Sequence, residues 1–476
     1  MISPPLIASR RMISFRHFVT CCLPFFLTMS VMAQEDLWKA GVASEIVTPS
    51  RPMWMAGYAS RNRPSEGKTH DLFVKALALQ STDGTRMVIV TSDLISVPRP
   101  IRDTLEQQVA EKFDLAPEEL MINCSHTHCG PEIRTTRWSL DGLPPERLQL
   151  ATDYVDFLQR TLLKVVGDAL ADLSPAKVSY CRARCGFAMN RRTPSATGFR
   201  NFPNPDGPVD HDVPVLRIDT PDGKLRAVMF GYACHNTTLG FYNFCGDYAG
   251  FAQQYLEAAH PGVTALFVLG CGGDQNPYPR RTLPLAEQHG RSLCNAVEAA
   301  LETKAKPLSA TIKSAMDMAT VEYQRPPSRE ELLQRAKSTN KYDQIHAERL
   351  LKQLDTEGGL RQHYDCPVQV IRFGDDLTLV ALPGETVVDY SLRLKNELST
   401  GDGTGPAVWV AGYSNDVFAY VPSRRVLLEG GYEAGGAMRY MTTVLQHGGF
   451  TPTVEERIVS KVHELNRKLA SEPIVR

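Results

Sequence analysis

Short apolar runs recur along the chain, and each of them ends at a group of polar residues. The runs are Met87–Ser92, Leu120–Cys124, Ala227–Cys234, Thr264–Leu269 and Leu377–Leu382. Uninterrupted apolar runs of this length, bounded by polar residues, are typical of strands that are covered on both faces. We therefore predict that these segments form the buried strands of a central sheet.

Helical patterns lie between the predicted strands. Apolar residues recur at helical spacing in segments 150–169, 286–301 and 387–398. Strands that alternate with helices predict an α/β fold, here a single large catalytic domain with a mixed β-sheet core flanked by helices. Because no repeat and no low-complexity linker divides the chain, we predict one continuous domain over residues 34–476.

One segment stands apart because it is charged as well as helical. Residues 328–357 begin with Ser328 and Glu331, which are spaced as a capping box, and we predict a helical insertion on the surface. Segments 198–214 and 399–406 are rich in proline and glycine, and we predict loops there.

The first residues have the pattern of a signal peptide. Three arginines precede an apolar run over residues 18–29, and Val31-Met32-Ala33 approaches the small-residue cleavage pattern. We predict that residues 1–33 are removed and that the protein is exported, either secreted or periplasmic. The alternative is an uncleaved anchor, although the run is short for a membrane span. No other apolar stretch approaches that length.

Composition narrows the class of protein. The 476 residues are 43% hydrophobic and 22% charged, which is ordinary for a soluble globular protein and excludes a disordered or fibrous chain. The formal charge is −1, so no basic surplus favours nucleic acid as a partner. The cysteines beyond the predicted signal are irregularly spaced, so no disulfide framework or zinc ribbon is indicated. One or two disulfides and buried free thiols remain open alternatives.

Residues that could carry chemistry follow directly after the apolar runs. They are His126, His128, His235, Asp274 and Glu385. In α/β sheets ligands bind beyond the strand ends, and two histidines with one carboxylate on separate loops are typical of an open catalytic zinc site. The residues alone also fit a simpler picture, in which the histidines are structural and Glu385 caps the helix that follows it.

The order of the motifs is more specific than any one of them. In chain order they are Val42–Thr48 with Met55-Ala-Gly-Tyr-Ala59, Lys68–Asp71, Cys124-Ser-His-Thr-His-Cys-Gly-Pro131, Asn190-Arg191, Ala233-Cys-His-Asn-Thr-Thr-Leu239, Gly246-Asp247, Leu382-Pro-Gly-Glu385, Ala411-Gly-Tyr-Ser-Asn-Asp416 and Gly431-Tyr432-Glu433. This series resembles the catalytic domain of the neutral/alkaline, non-lysosomal ceramidases, which are zinc amidases.

The resemblance implies a chemical role for each matching residue. One zinc ion per chain would be held by His126, His235, Glu385 and Tyr420. The residues facing the scissile group would be His128, Arg191, Tyr432 and Asn276. The implied reaction is hydrolysis of an N-acyl amide bond, of ceramide or sphingolipid type, by metal-activated water. Taken by its residue type alone, Arg191 also fits a surface arginine beside Arg192.

Three departures from the family pattern keep other functions open. Asn276 stands where the family has a serine, and Cys129 replaces another serine. The chain ends soon after Tyr432, so we expect it to lack the family's C-terminal β-sandwich, which helps to present lipid. One alternative is therefore a hydrolase of other N-acyl or O-acyl substrates, such as carbohydrates. Another is a non-catalytic, ligand-binding relative.

These predictions also indicate which molecules the protein should bind. We expect a small-molecule or lipid acyl substrate and no nucleic acid. Once the signal is removed, we expect no stable transmembrane span and at most peripheral contact with a membrane.

Overall fold

The structure is a computed structural model that describes residues 38–135, 143–399, 405–440 and 444–471. The predicted signal peptide, and residues 400–404 of the second predicted loop, lie outside the described residues. The strands are β1 (Trp38–Ile46), β2 (Gly67–Lys68), β3 (Phe73–Gln80), β4 (Arg86–Ser92), β5 (Leu120–Cys124), β6 (Ser174–Arg184), β7 (Ala188–Ser195), β8 (Gly198–Asn204), β9 (Asp212–Asp219), β10 (Leu225–Tyr232), β11 (Asn243–Phe244), β12 (Thr264–Leu269), β13 (Gln275–Pro277), β14 (Lys306–Pro307), β15 (Ile312–Glu322), β16 (His363–Phe373), β17 (Leu377–Ala381), β18 (Glu385–Thr386), β19 (Ala407–Ala411) and β20 (Tyr420–Val421).

Helices connect and flank these strands. They are α1 (Arg99–Phe113), α2 (Pro145–Ala171), α3 (Asp247–Ala259), α4 (Leu283–Leu301), α5 (Arg329–Arg335), α6 (Lys341–Glu357), α7 (Val388–Leu398), α8 (Arg424–Glu429) and α9 (Val454–Ser471), with short 3₁₀ turns at Pro117–Glu119 and Gly436–Tyr440. Within the described ranges, no helix is long and apolar enough to cross a membrane.

Two mixed sheets form the centre of the fold. The larger has the strand order β12-β10-β9-β6-β1-β3-β4-β5, with β14 added beside β6. Its β4–β5 and β10–β12 pairs are parallel, and its other pairs are antiparallel. The second sheet has the order β15-β16-β17-β19, in which only β17 and β19 run parallel. The predicted mixed core is therefore present, but it is divided between two sheets.

The two sheets pack face to face through one apolar layer. Leu79, Met121 and Leu266 of the larger sheet share this layer with Phe373 and Trp409 of the second. Because side chains alternate along a strand, the opposite face of each sheet is also apolar and must be covered. The burial of both faces explains why the predicted strands read as continuous apolar runs rather than as alternating ones.

Helices cover the outer faces of both sheets. Leu105 of α1 and Leu162 of α2 pack with Val88 of β4, while α3 and α4 cover the end of the larger sheet formed by β10 and β12. On the second sheet, Leu394 of α7 and Val462 of α9 fill the same role. The layers thus run helix, sheet, sheet, helix, and the predicted fold class, an α/β domain with helices flanking a mixed sheet core, is confirmed.

The local predictions hold with one correction. Each of the five apolar runs contains a strand, and the capping box of Ser328 and Glu331 is present at α5. The predicted helical insertion contains two helices, because Asn340 caps a second helix by accepting a hydrogen bond from the Tyr342 amide. Segment 198–214 is not wholly a loop, since it contains β8, which pairs with β7. β8 is largely exposed, so it lacks the apolar signal of a buried strand.

The cysteines resolve one open alternative. All nine cysteines between Cys124 and Cys366 are buried and unpaired. In the described residues they therefore act as small apolar core residues, and not as disulfide partners.

The strands that lead to the candidate residues belong to different sheets and are tied together by one side chain. Asn123, fully buried near the end of β5, accepts a hydrogen bond from the Leu269 amide on β12 at 2.8 Å. Its Nδ2 donates to the carbonyl of Leu269 at 3.2 Å and to that of Gly412, just past β19, at 2.8 Å. The ends of β5, β12 and β19 therefore meet, although β5 and β12 lie at opposite ends of the strand order.

Replacing Asn123 with alanine should lower the free energy of unfolding by about 3 kcal/mol, because several buried backbone groups lose their partners. Urea titration of the wild type and the variant measures this. Asn396→Ala, at an exposed position on α7, is the matched control and should change the free energy of unfolding by less than about 0.5 kcal/mol. Equal effects of the two substitutions would show that Asn123 does not join the strand ends.

Candidate active site

A pocket of about 280 Å³ opens where the joined strand ends meet. All eight site residues identified in the sequence line it: His126, His128, Arg191, His235, Asn276, Glu385, Tyr420 and Tyr432. His126, His128 and His235 follow strands of the larger sheet. Arg191, Asn276, Glu385 and Tyr420 lie in the short strands of two smaller sheets, so the eight residues do not share one sheet edge. The structure brings these side chains together, while their chemical roles remain predictions.

Two histidines present the same ring nitrogen to the pocket. The Nδ1 atoms of His126 and His235 lie 2.6 Å from the carbonyl oxygens of Ile95 and Gly272. A carbonyl can only accept, so each Nδ1 carries a proton and donates it. Burial and the nearby Arg191 lower the pKa of His235 to about 4, so this ring is neutral at pH 7. Its Nε2 therefore offers a lone pair to the pocket.

Glu385 faces both of these histidines. Its Oε2 lies 3.0 Å from Nε2 of His235 and 3.3 Å from Nε2 of His126. Burial would raise the pKa of the Glu385 carboxyl, but the two rings hold it well below its usual value. An ionised carboxylate thus lies against the unprotonated nitrogen of His235. Two acceptors at this distance repel each other unless a proton or a metal cation lies between them.

Tyr420 is placed beside Glu385 by a short parallel strand pair. Glu385 and Tyr420 are register partners where β18 meets β20. The Tyr420 hydroxyl lies 3.2 Å from Nε2 of His235 and accepts a hydrogen bond from Arg191 at 3.0 Å. Burial, followed by the nearby Glu385 carboxylate, raises the pKa of Tyr420 well above 10. The phenol is therefore neutral in the absence of a bound cation.

Glu385 does not cap the helix that follows it. The Val388 amide, in the first turn of α7, donates instead to Asp274 at 2.9 Å. Asp274 also accepts from Asn190 at 3.1 Å, and burial raises its pKa to about 6. Of the two acidic residues found after apolar runs, Asp274 supports the loops and Glu385 faces the pocket.

His128 is a third histidine at the same point. Ring nitrogens of His126, His128 and His235 all lie within 4.8 Å of one another, close enough for one metal ion to contact the three. Burial and the neighbouring rings lower the pKa of His128 well below 6.5. Its buried Nδ1 has no hydrogen-bond partner in the part of the chain that the structure describes. The family resemblance implied a catalytic role for His128, and the geometry also makes it a candidate metal ligand.

These donors fit a divalent metal ion. Two imidazole nitrogens and a carboxylate oxygen converge, with a phenol and a third imidazole beside them. Nitrogen and oxygen donors of this kind suit zinc, and they also suit other first-row divalent ions. A cation at this point would remove the repulsion between Glu385 and His235.

Arg191 is a buried part of the site and not a surface arginine. Its Nε donates to Glu433 at 2.9 Å, and its two terminal nitrogens donate to Tyr420 and Asn276 at 3.0 and 3.3 Å. Arg192 is also buried and pairs with the other oxygen of Glu433 at 2.6 Å. Of these two arginines, Arg191 lines the pocket and Arg192 does not.

Asn276 lies in the pocket wall beside Arg191. Its Oδ1 accepts from Arg191 at 3.3 Å and from Thr237 at 3.2 Å, while its Nδ2 donates to the Tyr278 hydroxyl at 3.3 Å. Tyr432 completes this side, with its ring centroid 5.4 Å from that of Tyr420. The amide is thus engaged by the protein on both of its polar atoms.

The pocket also contains residues that sequence reasoning did not assign. Tyr58, Arg134, Arg280, Arg281 and Tyr440 all line it. The backbone of Gly57 lies against the His128 ring, where a Cβ would approach within 2.5 Å, and its φ of 98° also favours glycine. In the sequence, this wall of the pocket was indicated only by the motif at Met55–Ala59, which resembles a turn of the family.

Comparisons with known proteins found a matching sequence family and similar solved structures. The family model for the N-terminal part of the neutral/alkaline non-lysosomal ceramidases matches residues 38–316. The crystal structure of neutral ceramidase from Pseudomonas aeruginosa is similar, with a TM-score of 0.68 at 17% identity over 92% of this chain and 76% of that one. A structure described as ceramidase complexed with C2 gives 0.67 at 16% identity, over 92% and 77%. No curated protein sequence matches.

Proposed function

This chain belongs to the neutral/alkaline non-lysosomal ceramidase family, and from that premise we propose that it is a metal-dependent hydrolase that cleaves an N-acyl amide bond. The observation that carries the proposal is the convergence of His126 Nε2, His235 Nε2 and Glu385 Oε2 on one point of a pocket. Such an arrangement is difficult to explain as packing, because buried acceptors that face each other cost stability unless something positive lies between them.

We propose zinc as the ion, held by His126, His235 and Glu385, with Tyr420 or His128 as a further ligand. When bound, the ion supplies a Lewis acid that polarises the substrate carbonyl and makes a water molecule more acidic. The carbonyls of Ile95 and Gly272 hold the two imidazoles in the tautomer that this role requires.

Arg191 and Tyr432 are proposed to bind the carbonyl oxygen of the substrate. A guanidinium has five N–H donors, and Arg191 uses three of them on Glu433, Tyr420 and Asn276. The remaining donors can point into the pocket, where their fixed charge favours a developing negative oxygen. The raised pKa of Tyr432, caused mainly by burial, keeps its hydroxyl protonated as a donor.

His128 is proposed to transfer a proton to the leaving nitrogen. Its ring lies at the centre of the site, and Arg61 fixes its backbone by donating to the His128 carbonyl at 2.7 Å. A neutral imidazole has one unprotonated nitrogen, which can take up the proton released by the attacking water and then pass it to the departing amine. His128 cannot use the same nitrogen for this step and for binding metal. A His128 variant that keeps its metal but loses activity would point to proton transfer, whereas loss of the metal would point to ligation.

A second candidate substrate class is favoured by the pocket wall. Among the described residues that line the pocket, Ala59 and Ile95 alone have aliphatic side chains. The lining also includes four arginines, whose charged groups are costly to bury against a long acyl chain. This favours a polar N-acyl or O-acyl substrate over ceramide.

The proposal is tested by removing the metal with a chelator, restoring zinc and measuring hydrolysis of short acyl amides, acyl esters and ceramide. We expect activity on at least one acyl amide that disappears with the metal and returns with zinc. A protein that retains zinc and hydrolyses nothing in this panel would instead be a ligand-binding relative.

Asn276→Ala should lower kcat/KM on the best amide by about tenfold or less. The side chain orients Arg191 and is already engaged by the protein, and the loss of a secondary contact costs less than the loss of a direct oxyanion donor. Asn276→Ser should retain activity, with a shift towards ceramide-like amides as its largest expected change. If only the serine variant turns over any substrate, the natural protein is not the proposed hydrolase.

A further inference from the structure

Two adjacent arginines at the pocket have no carboxylate partner in the described part of the chain. Arg280 and Arg281 belong to the segment between β13 and α4, and both line the pocket. No carboxylate of the described residues lies within ion-pair distance of either guanidinium. The other two arginines in the lining differ, because Arg134 pairs with Glu132 at 2.6 Å and Arg191 pairs with Glu433.

The segment that carries them is held in place at several points. The Tyr278 amide donates to the carbonyl of Phe187 at 3.1 Å, and the Arg281 amide donates to that of Thr238 at 2.7 Å. His289 of α4 donates to the Pro279 carbonyl at 2.7 Å. Arg281 has a φ of 98°, which a side-chain-bearing residue adopts only when its surroundings enforce it.

Both guanidinium groups are aimed by polar neighbours towards the catalytic groups. Arg280 donates to the Thr237 hydroxyl at 3.5 Å, and Thr237 in turn donates to Asn276. Arg281 donates to the Tyr58 hydroxyl at 3.0 Å, and the Tyr58 ring centroid is 4.8 Å from that of His128. One arginine is therefore linked to the Arg191 side of the site and the other to the His128 side.

Arg280 and Arg281 give their side of the pocket a net positive charge. Burial and the adjacent Arg281 both lower the pKa of Arg280, in keeping with its having no carboxylate partner among the described residues. Within the described residues each arginine has a single hydrogen bond from its terminal nitrogens, which leaves most of the guanidinium donors available to a ligand. Guanidinium groups bind carboxylate, sulfonate, sulfate and phosphate oxygens through such donors.

We propose that Arg280 and Arg281 bind an anionic group on the acyl substrate, so that the protein selects anionic N-acyl compounds over neutral ones such as ceramide. The proposal rests on the hydrolase function proposed above, because it assigns the substrate class of that same site. The anion would occupy the wall lined by Arg280 and Arg281, while the scissile carbonyl faces Arg191 and the metal ligands.

Matched substrates that differ in charge test this with the zinc-loaded protein. One pair places the anion on the amine side: para-acetamidobenzenesulfonate and para-acetamidophenyl methyl sulfone. The other pair places it on the acyl side: N-phenylsuccinamate and N-phenylsuccinamide. We expect kcat/KM to favour the anionic member of at least one pair by about tenfold to 100-fold. The preference should shrink as salt is added, because both arginines are partly solvent-accessible.

The double variant Arg280→Gln/Arg281→Gln should lose this preference. Arg160→Gln, at an exposed position on α2 away from the pocket, is the matched control and should retain it. Binding is measured separately by ligand-observed NMR titration with benzenesulfonate and methyl phenyl sulfone, which cannot be hydrolysed. Wild type should bind the sulfonate more tightly, and the double variant should bind the two compounds equally.

The outcomes separate the two proposals. If wild type shows no preference for the anionic member in either pair, or if the double variant keeps the preference, the anion site is overturned. If neutral and anionic amides are hydrolysed equally well, the hydrolase function stands without it. If the sulfonate binds in an arginine-dependent way but no amide is hydrolysed, the anion site stands and the hydrolase function fails.

Discussion

His235→Ala should bind almost no zinc and should hydrolyse acyl amides at least about 10³-fold more slowly than wild type. The substitution removes a ring nitrogen from the point where His126 and Glu385 converge, and it leaves the Gly272 carbonyl without its donor. Metal content by mass spectrometry and kcat/KM on the best amide measure the two effects. His126→Ala should behave in the same way, because its Nε2 faces the same carboxylate oxygen.

The control for this prediction is another buried histidine outside the pocket. His346 of α6 donates to the Gln446 carbonyl at 2.6 Å and does not line the active-site pocket. His346→Ala should lower stability while the folded protein keeps its zinc and its kcat/KM. Full zinc content and unchanged turnover in His235→Ala would show that the three converging groups are not the metal site.

Arg191→Met should lose both stability and activity, whereas Arg192→Met should lose mainly stability. The two arginines are neighbours in sequence, are equally buried and bind opposite oxygens of Glu433. Burial would raise the pKa of Glu433, but the two arginines hold it below its usual value. Removing one partner of a buried ion pair costs roughly 3–5 kcal/mol, so both variants should unfold at lower urea concentration.

Their activities should differ because only Arg191 reaches the pocket. We expect kcat/KM of Arg191→Met to fall by about 10²-fold to 10³-fold, as for the loss of an oxyanion donor. Arg192→Met should fall by no more than about tenfold, through small shifts of the turn at Gly430 that Arg192 holds. Equal losses of activity in the two variants would mean that Arg191 acts through folding alone.

From the sequence, convergence could be predicted only for the site residues that come directly after predicted strands. His126, His235 and Glu385 come soon after apolar runs, and buried strands that end near one another bring such residues together. The sequence alone did not separate Glu385 from Asp274, since both have the same local pattern. The structure separates them by their partners, because Asp274 accepts from the Val388 amide and Glu385 faces two histidines.

Tyr420 shows where pattern reasoning stopped. A tyrosine in a two-residue strand has no periodicity to identify it, and only the family resemblance pointed to it. Its position depends on the parallel pair of β18 and β20, in which Tyr420 is the register partner of Glu385. Contacts of this kind join residues far apart in sequence, so they follow from tertiary structure and not from local propensity.

The second sheet and the arginine pair were missed for related reasons. Continuous apolar runs predict buried strands without assigning them to sheets, so the division of the core was not visible. Asn123, which joins three strand ends, reads in the sequence as one polar residue in an apolar run. In the sequence Arg280 and Arg281 look like part of an ordinary polar loop. Their importance comes from the folded arrangement, in which no described carboxylate pairs with either of them.

The central claim is that one metal ion binds where His126, His235 and Glu385 converge. Anomalous diffraction at the zinc edge from crystals of the zinc-loaded protein tests it most directly. We predict a single strong peak about 2.0–2.2 Å from Nε2 of both histidines and from a Glu385 carboxylate oxygen. An empty pocket in crystals that contain zinc elsewhere, or a peak that none of these three side chains contacts, would contradict the account.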